Sequence, residues 1–261
     1  MTAQIKLTKK QRTKDWIKPP KPLLKPIGRV IAQYKMIKEG DRIMLGLSGG
    51  KDSMVLLTVL KHLQRHSPVK FEIAACTIDP EIPGFDPSPL KDWLAKMDVP
   101  YFYESEDLIA LADAHMQGDS FCSFCARHKR GKLYTVCRRE GYNVLALAQH
   151  LDDLAESFMM SAFNAGELRT MKAHYLNNEK DIRIIRPLVR VREYQTREFA
   201  TAQALPVIED NCPACYAKPQ QRQRMKMLLL DEEKQNKHLY SNLWRTMQPL
   251  IEDDNHDGKS T

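Results

Sequence analysis

The stretch Leu47-Ser48-Gly49-Gly50-Lys51-Asp52-Ser53 gathers two glycines, two hydroxyls, an ammonium and a carboxylate. Glycines let backbone N–H groups come close to a phosphate, and the start of a helix favours negative charge. Ser48 and Ser53 can donate hydrogen bonds there, and Lys51 can pair with phosphate oxygens. Two further patterns can do chemistry. Cys122 and Cys125 stand in "FCSFCARHKRGKLY", and Cys212 and Cys215 in "DNCPACYAKPQ". His150, Asp152 and Asp153 stand together in "AQHLDD". Adjacent acids of this kind can cap a helix N-terminus.

Some chemistries are excluded by spacing. The glycine loop is not G-x-x-x-x-G-K-[ST], which removes the Walker-type NTPase, and there is no G-x-G-x-x-G for a dinucleotide. A bare Gly-Gly turn is commonly only a turn, but a strand, this loop and a helix in succession are far more specific. The two Cys-x-x-Cys pairs leave three chemistries open. A dithiol couple needs only one pair at a helix start. A structural zinc site takes four ligands, often with pairs 15–20 residues apart, whereas Cys125 and Cys212 are far apart in sequence. A 4Fe-4S cluster also takes thiolates, and three ligands leave one iron open. Cys76 and Cys137 lie in apolar or helical contexts and read as core residues.

These residues need a scaffold, and the pattern around them predicts one. "RIMLGL", "FEIAACTI", "YFYES", "NVLALAQ" and "IRIIRPLV" read as short apolar strands. Between them lie helix-like stretches such as "DSMVLLTVLKHLQ" and "DDLAESFMMSAF". Alternating strands and helices predict an α/β fold, a doubly wound and mostly parallel sheet covered on both faces. Helical additions are expected at both ends. The expected divisions are a basic arm over 1–25, a main domain over 26–228 and a helical extension with an acidic tail over 229–261. Residues 1–29 hold nine Lys or Arg against one Asp, which suits a polyanion and also suits a solvated tail. No apolar run reaches the roughly 18–20 residues of a membrane span, and no signal-peptide segment is evident. A cytoplasmic protein with reduced thiols is expected, so paired cysteines point to metal or chemistry.

The strand–SGGKDS–helix unit resembles the PP-loop of the ATP pyrophosphatases, the adenine nucleotide alpha hydrolase-like enzymes that cut ATP between its α and β phosphates. From about Arg29 to about Leu228 the resemblance narrows to the tRNA 2-thiocytidine synthetase family. It rests on "MIKEGDRIM", "LSGGKDS", "PGF", "CSFC-x-R-x-x-RG-x-LY", "HxDD", "IRPL" and "CxxC…QRQ". The resemblance implies ATP-dependent sulfur transfer to C2 of a tRNA cytidine through an adenylated base. It implies ATP binding by Ser48, Gly49, Gly50, Lys51, Asp52, Ser53, Asp79, His150, Asp152 and Asp153 with Mg2+. Lys51 and Asp52 are the catalytic candidates. It also implies a 4Fe-4S cluster on Cys122, Cys125 and a third cysteine, aligned at Cys215 with Cys212 as the alternative.

Arg127, Lys129, Arg130, Arg222 and Arg224 are the candidates for RNA contact, being close in sequence to the cysteines. Expected partners are tRNA and a sulfur donor such as a cysteine desulfurase, without a membrane; a homodimer is compatible with the sequence. The chain departs from the family pattern in places. Gln149-His150 replaces His-His, Leu151 replaces an Arg, and "NAGELRTMKAHY" replaces a Gly-Gly and Pro-rich loop. A paralogue acting on another RNA position, or on a free thiopyrimidine, is therefore an alternative. A different class of alternative is an iron–sulfur redox or RNA-binding module with an inactive ATP loop.

Overall fold

The short apolar runs become strands of one sheet. The computed structural model describes residues 17–116, 121–208 and 221–252. Helix α1 (Lys21–Gln33) precedes β1 (Asp41–Gly46), α2 (Lys51–His66), β2 (Phe71–Asp79), α3 (Ser88–Lys96) and β3 (Tyr101–Ser105). Then come α4 (Leu108–His115), α5 (Phe121–Glu140), β4 (Val144–Ala146), α6 (Leu151–Ala165), β5 (His174–Leu176) and β6 (Arg183–Ile185). Helices α7 (Glu193–Ala202), α8 (Gln221–Gln235) and α9 (Leu239–Ile251) complete the described chain.

The six strands run in the order β3-β2-β1-β4-β6-β5. All pairs are parallel except β5–β6. The chain winds outward from β1 to β3, then returns to the other side of β1 to place β4. The switch of direction between β1 and β4 opens a crevice at their C-terminal ends, where α/β sheets bind ligands. Register brings Ile43, Met44 and Leu45 opposite Val144, Leu145 and Ala146.

Alternation along the strands feeds two cores. Ile43, Leu45, Ile73, Ala75, Val144 and Ala146 pack with α1, α2, α3 and α6 on one face. Met44, Ala74, Cys76, Ile78 and Leu145 pack against Leu133, Val136 and Cys137 of α5 on the other. Period-two side-chain alternation thus gives a three-layer fold, as expected of a parallel sheet buried on both sides. Cys76 and Cys137 are buried in that second core as expected, 1% and 0% exposed, and burial pushes both thiols up to about 12.

Boundaries differ from the expected ones in three places. Helix α1 begins at Lys21 rather than near Pro26, because Pro22 falls in its first turn, where its missing N–H has no helical partner to lose. Helix α8 runs without a break through residue 228. The β5 strand, paired antiparallel at the sheet edge, has no counterpart among the expected strands. No described helix is long and apolar enough to cross a membrane.

Candidate active site

The phosphate loop leaves β1 at Gly46 and enters α2 at Lys51. Gly50 is the N-cap and offers no side-chain hydrogen bond, so the first-turn amides of this 16-residue helix lack a side-chain cap. Such amides and the helix dipole make an anion site. The loop is braced from within: Ser53 Oγ donates to the Gly50 carbonyl at 2.8 Å, and Ser48 Oγ lies 3.3 Å from Ser53 Oγ. Gly49 takes φ +84°. A Cβ there would meet Ile208 Cδ1 at 2.9 Å, so both the dihedral and the space require glycine.

A cleft of about 350 Å³ opens beside this loop. Ser48, Gly50, Asp52 and Ser53 form one end, and Cys76, Ile78, Leu133 and Leu147 supply apolar wall. Lys129 and Arg130 of α5, Gln149, Asp153 and Arg222 supply the polar remainder. The α5 positions on the cleft, Ala126, Lys129, Arg130 and Leu133, recur at helical spacing. Cys122 stands one turn before Ala126 and Cys125 immediately precedes it, at the start of the same helix. Cys122 is exposed and Cys125 half-buried. Cys212 and Cys215 lie outside the described residues. Before them, Ile208 N–H donates to the Gly49 carbonyl at 2.9 Å, and after them Arg222 lines the cleft.

The acidic pair divides its roles. His150, 5% exposed, caps α6: its Nδ1 accepts from Asp153 N–H at 3.3 Å, and Asp153 Oδ2 accepts from His150 N–H at 2.9 Å. Asp153 also faces the cleft, 3.6 Å from Arg222. Asp152 is turned away and buried; it accepts from Arg192 Nε at 3.1 Å and from Glu193 N–H at 2.8 Å. Arg192 in turn grips Glu233 with two bonds, at 2.5 and 2.8 Å. Asp153 therefore both caps α6 and lines the cleft, whereas Asp152 faces Arg192 and the start of α7.

Lys51 lies beside the loop and is not on the cleft wall. Its Nζ is 3.0 Å from both Asp52 and Glu193. Burial works against its charge, but Asp52 and then Glu193 outweigh it and hold the ammonium above its ordinary value. Burial likewise opposes the Glu193 charge, yet bonds from Lys226 and Lys51 hold that carboxyl down to about 2. Asp52 also accepts from the Thr196 hydroxyl and lies 3.7 Å from His150 Nε2. The loop is thus pinned to α7 by charge.

Other sequence candidates fall elsewhere. Asp79 ends β2, bonded by the Tyr103 hydroxyl and by Glu81 N–H at 2.8 Å, adjacent to the cleft-lining Ile78. Arg127 belongs to a separate groove with His115, His128 and Lys132. Arg224 borders an apolar groove with Phe163, Met227 and Leu228. Among the described residues, no group of three or more His, Cys, Asp or Glu is arranged to hold a metal. Sequence reasoning missed Arg192, Glu193 and Thr196, whose only local signal is their position just after the last parallel strand. It also missed Glu156, one turn beyond Asp153, which is 4% exposed.

Residues 23–232 match the PP-loop domain family. The chain is 39% identical over 222 residues to the tRNA-cytidine(32) 2-sulfurtransferase of Geobacter sulfurreducens, covering 85% of this chain and 86% of that one. It is 37% identical over 232 residues to the protein of that name from Legionella pneumophila, covering 88% and 81%. Among solved structures, the U34-tRNA thiolase NcsA from Methanococcus maripaludis, solved with its 4Fe-4S cluster, superposes with a TM-score of 0.72 at 22% identity, covering 91% of this chain and 80% of NcsA. With the loop, the switch-point cleft and the identity in agreement, the chain belongs to the tRNA-cytidine(32) 2-sulfurtransferase family of PP-loop, ATP-using enzymes.

Proposed function

We propose that the chain 2-thiolates a tRNA cytidine at the expense of ATP. The carrying observation is that the phosphate loop and the helix headed by Cys122 and Cys125 meet at one cleft, in a chain of this family. The C2 oxygen of the base attacks the α-phosphorus of ATP; a C–O–P link forms, and pyrophosphate leaves. A sulfur nucleophile then adds at C2, and AMP departs with the oxygen. The first step makes a poor leaving group into a good one, and holding both partners in one cleft can lower the barrier by roughly 7–11 kcal/mol at best.

The parts divide accordingly. The α2 amides with Ser48 and Ser53 hold the leaving pyrophosphate, and Lys51 offsets its charge. Asp79 lies on the adenosine side. Asp153 and the phosphates are suited to share Mg2+, while Asp52, His150 and Asp152 keep the loop and α6 in place. Cys122 and Cys125, with thiols at the start of one helix beside the cleft, fit two ligands of a 4Fe-4S cluster, with Cys215 as the third. Such a cluster supplies, when bound, the site that handles the incoming sulfur. Lys129, Arg130 and Arg222 meet the RNA at the cleft, and Arg127 and Arg224 meet its backbone to either side. A sulfur donor such as a cysteine desulfurase supplies the sulfur as a persulfide, and a two-electron reductant of the thiol class brings it to the sulfide level of the product.

Mass spectrometry of tRNA nucleosides from cells with and without the protein tests this. Loss of 2-thiocytidine alone is expected. Loss of a different thionucleoside would move the substrate to another base, in line with Gln149 and Leu151 standing where the family pattern differs. Unchanged nucleosides would remove sulfur transfer altogether.

A further inference from the structure

Gln149 lines the cleft just beyond β4, and its amide is held in one orientation. Arg186 Nε donates to Gln149 Oε1 at 2.8 Å. A guanidinium has no acceptor, so the oxygen of the amide must face it. The amide nitrogen has no partner among the described residues and is the polar group left for the cleft. Arg186 is itself buried and held by its neighbours. It is 3% exposed, its Nη1 donates to the Lys172 carbonyl at 2.6 Å, and it stands 5.3 Å from the centre of the Tyr175 ring. No carboxylate among the described residues lies within ion-pair distance of it. A buried, permanently charged guanidinium with no counter-carboxylate therefore polarises the amide that bridges it to the cleft.

We infer that Gln149 is a one-way hydrogen-bond donor that recognises an acceptor atom of the substrate, with Arg186 as the positioning residue that forbids the opposite orientation. Two sources offer such an acceptor: a phosphate oxygen of ATP, or the O2 and N3 atoms of a cytosine. In a uracil, N3 carries a hydrogen and would confront the amide donor with a second donor. The identity of the base source rests on the thiolation reading; the donor character of Gln149 does not.

The test compares Gln149→Glu and Gln149→His in the full chain. Glutamate keeps the volume, pairs with Arg186 and presents an acceptor where the donor stood. Histidine, the conservative variant, can accept from Arg186 at one ring nitrogen and donate from the other. Two readouts are taken: equilibrium binding of α,β-methylene-ATP, and thiolation as a function of tRNA concentration. Gln149→Glu is expected to lose about 10- to 100-fold in one readout, the range for a charge-assisted hydrogen bond, and Gln149→His to recover most of it. A loss in nucleotide binding places the acceptor on ATP; a loss confined to kcat/KM for tRNA places it on the base. Gln149→Glu equal to wild type in both readouts, or Gln149→Glu and Gln149→His falling together, overturns the inference. Wild-type protein that binds the nucleotide but thiolates no tRNA would defeat the functional reading and leave the nucleotide readout able to judge Gln149.

Discussion

Gly49→Ala tests the phosphate loop and its backing at once. At φ +84° an L-residue is strained, at a cost of about 1–2 kcal/mol. The new Cβ would also stand 2.9 Å from Ile208 Cδ1 and 3.0 Å from Ile208 Cβ. The tip of that side chain can rotate away, but its Cβ cannot, because Ile208 N–H is bonded to the Gly49 carbonyl at 2.9 Å. Overpacking of this kind costs about 1–3 kcal/mol. The expected total is about 2–5 kcal/mol, with Tm falling by about 2–4 °C for each kcal/mol in a chain of this size. Urea denaturation of Gly49→Ala, Ile208→Gly and the double variant separates the contributions. Removing the Ile208 side chain abolishes the clash and leaves the dihedral cost, so Gly49→Ala should cost only about 1–2 kcal/mol in that background. A loss below about 0.5 kcal/mol, within the range of ordinary surface changes, would refute the reasoning. So would an equal loss in both backgrounds.

Two further outcomes are expected. Burial, and then the charge of Asp153, push the Glu156 carboxyl up to about 7, with Arg222 and Lys226 opposing. The folded chain therefore holds that proton more tightly than the unfolded chain does. The resulting stability is complete below the ordinary carboxylate value of 4.5 and is lost as pH rises through about 7, amounting to about 3 kcal/mol. Glu156→Gln should then gain stability relative to wild type between pH 5 and pH 8, read as a widening Tm difference; a constant difference would contradict it. Residues 1–16 carry five Lys or Arg and one Asp. Deleting them stops short of buried Leu23, and should weaken tRNA binding and flatten its salt dependence by up to about 0.7–0.9 in log–log slope per lost phosphate contact. An unchanged slope would make the arm a bystander.

The parts legible in sequence are those written locally. Strand β3 falls on "YFYES" and α6 spans "DDLAESFMMSAF", because period and end signals lie within the element itself. The loop was legible for the same reason: strand, glycines and helix are contiguous. The edge strand β5 was not, because three residues inside a polar loop carry no period. Nor was the division between Asp152 and Asp153. Adjacent residues on a helix point in different directions, and which one meets Arg192 depends on a contact 40 positions away. The Arg186–Gln149 bond spans 37 positions. Each of its members looked ordinary alone, one inside "IRPL" and the other a departure from a family pattern.

The cations show most clearly why sequence reasoning stopped where it did. Lys51, Arg192 and Lys226 resemble Lys129 and Arg130 in type, and all sit near motif residues. In the folded chain they separate into two groups by pairing. Lys51 is committed to Asp52 and Glu193, Lys226 to Glu193, and Arg192 to Asp152 and Glu233. These charges are largely met inside the protein, and they fix the loop to α7 and α6 to α8. Lys129 and Arg130 line the cleft and have no carboxylate within ion-pair distance among the described residues. An incoming polyanion gains most from charges that no carboxylate already satisfies, since it need not displace an internal partner. On the proposed reading, in which Lys51 meets pyrophosphate, its pairs with Asp52 and Glu193 must loosen, and Lys226, 2.6 Å from Glu193, is left to satisfy that carboxylate.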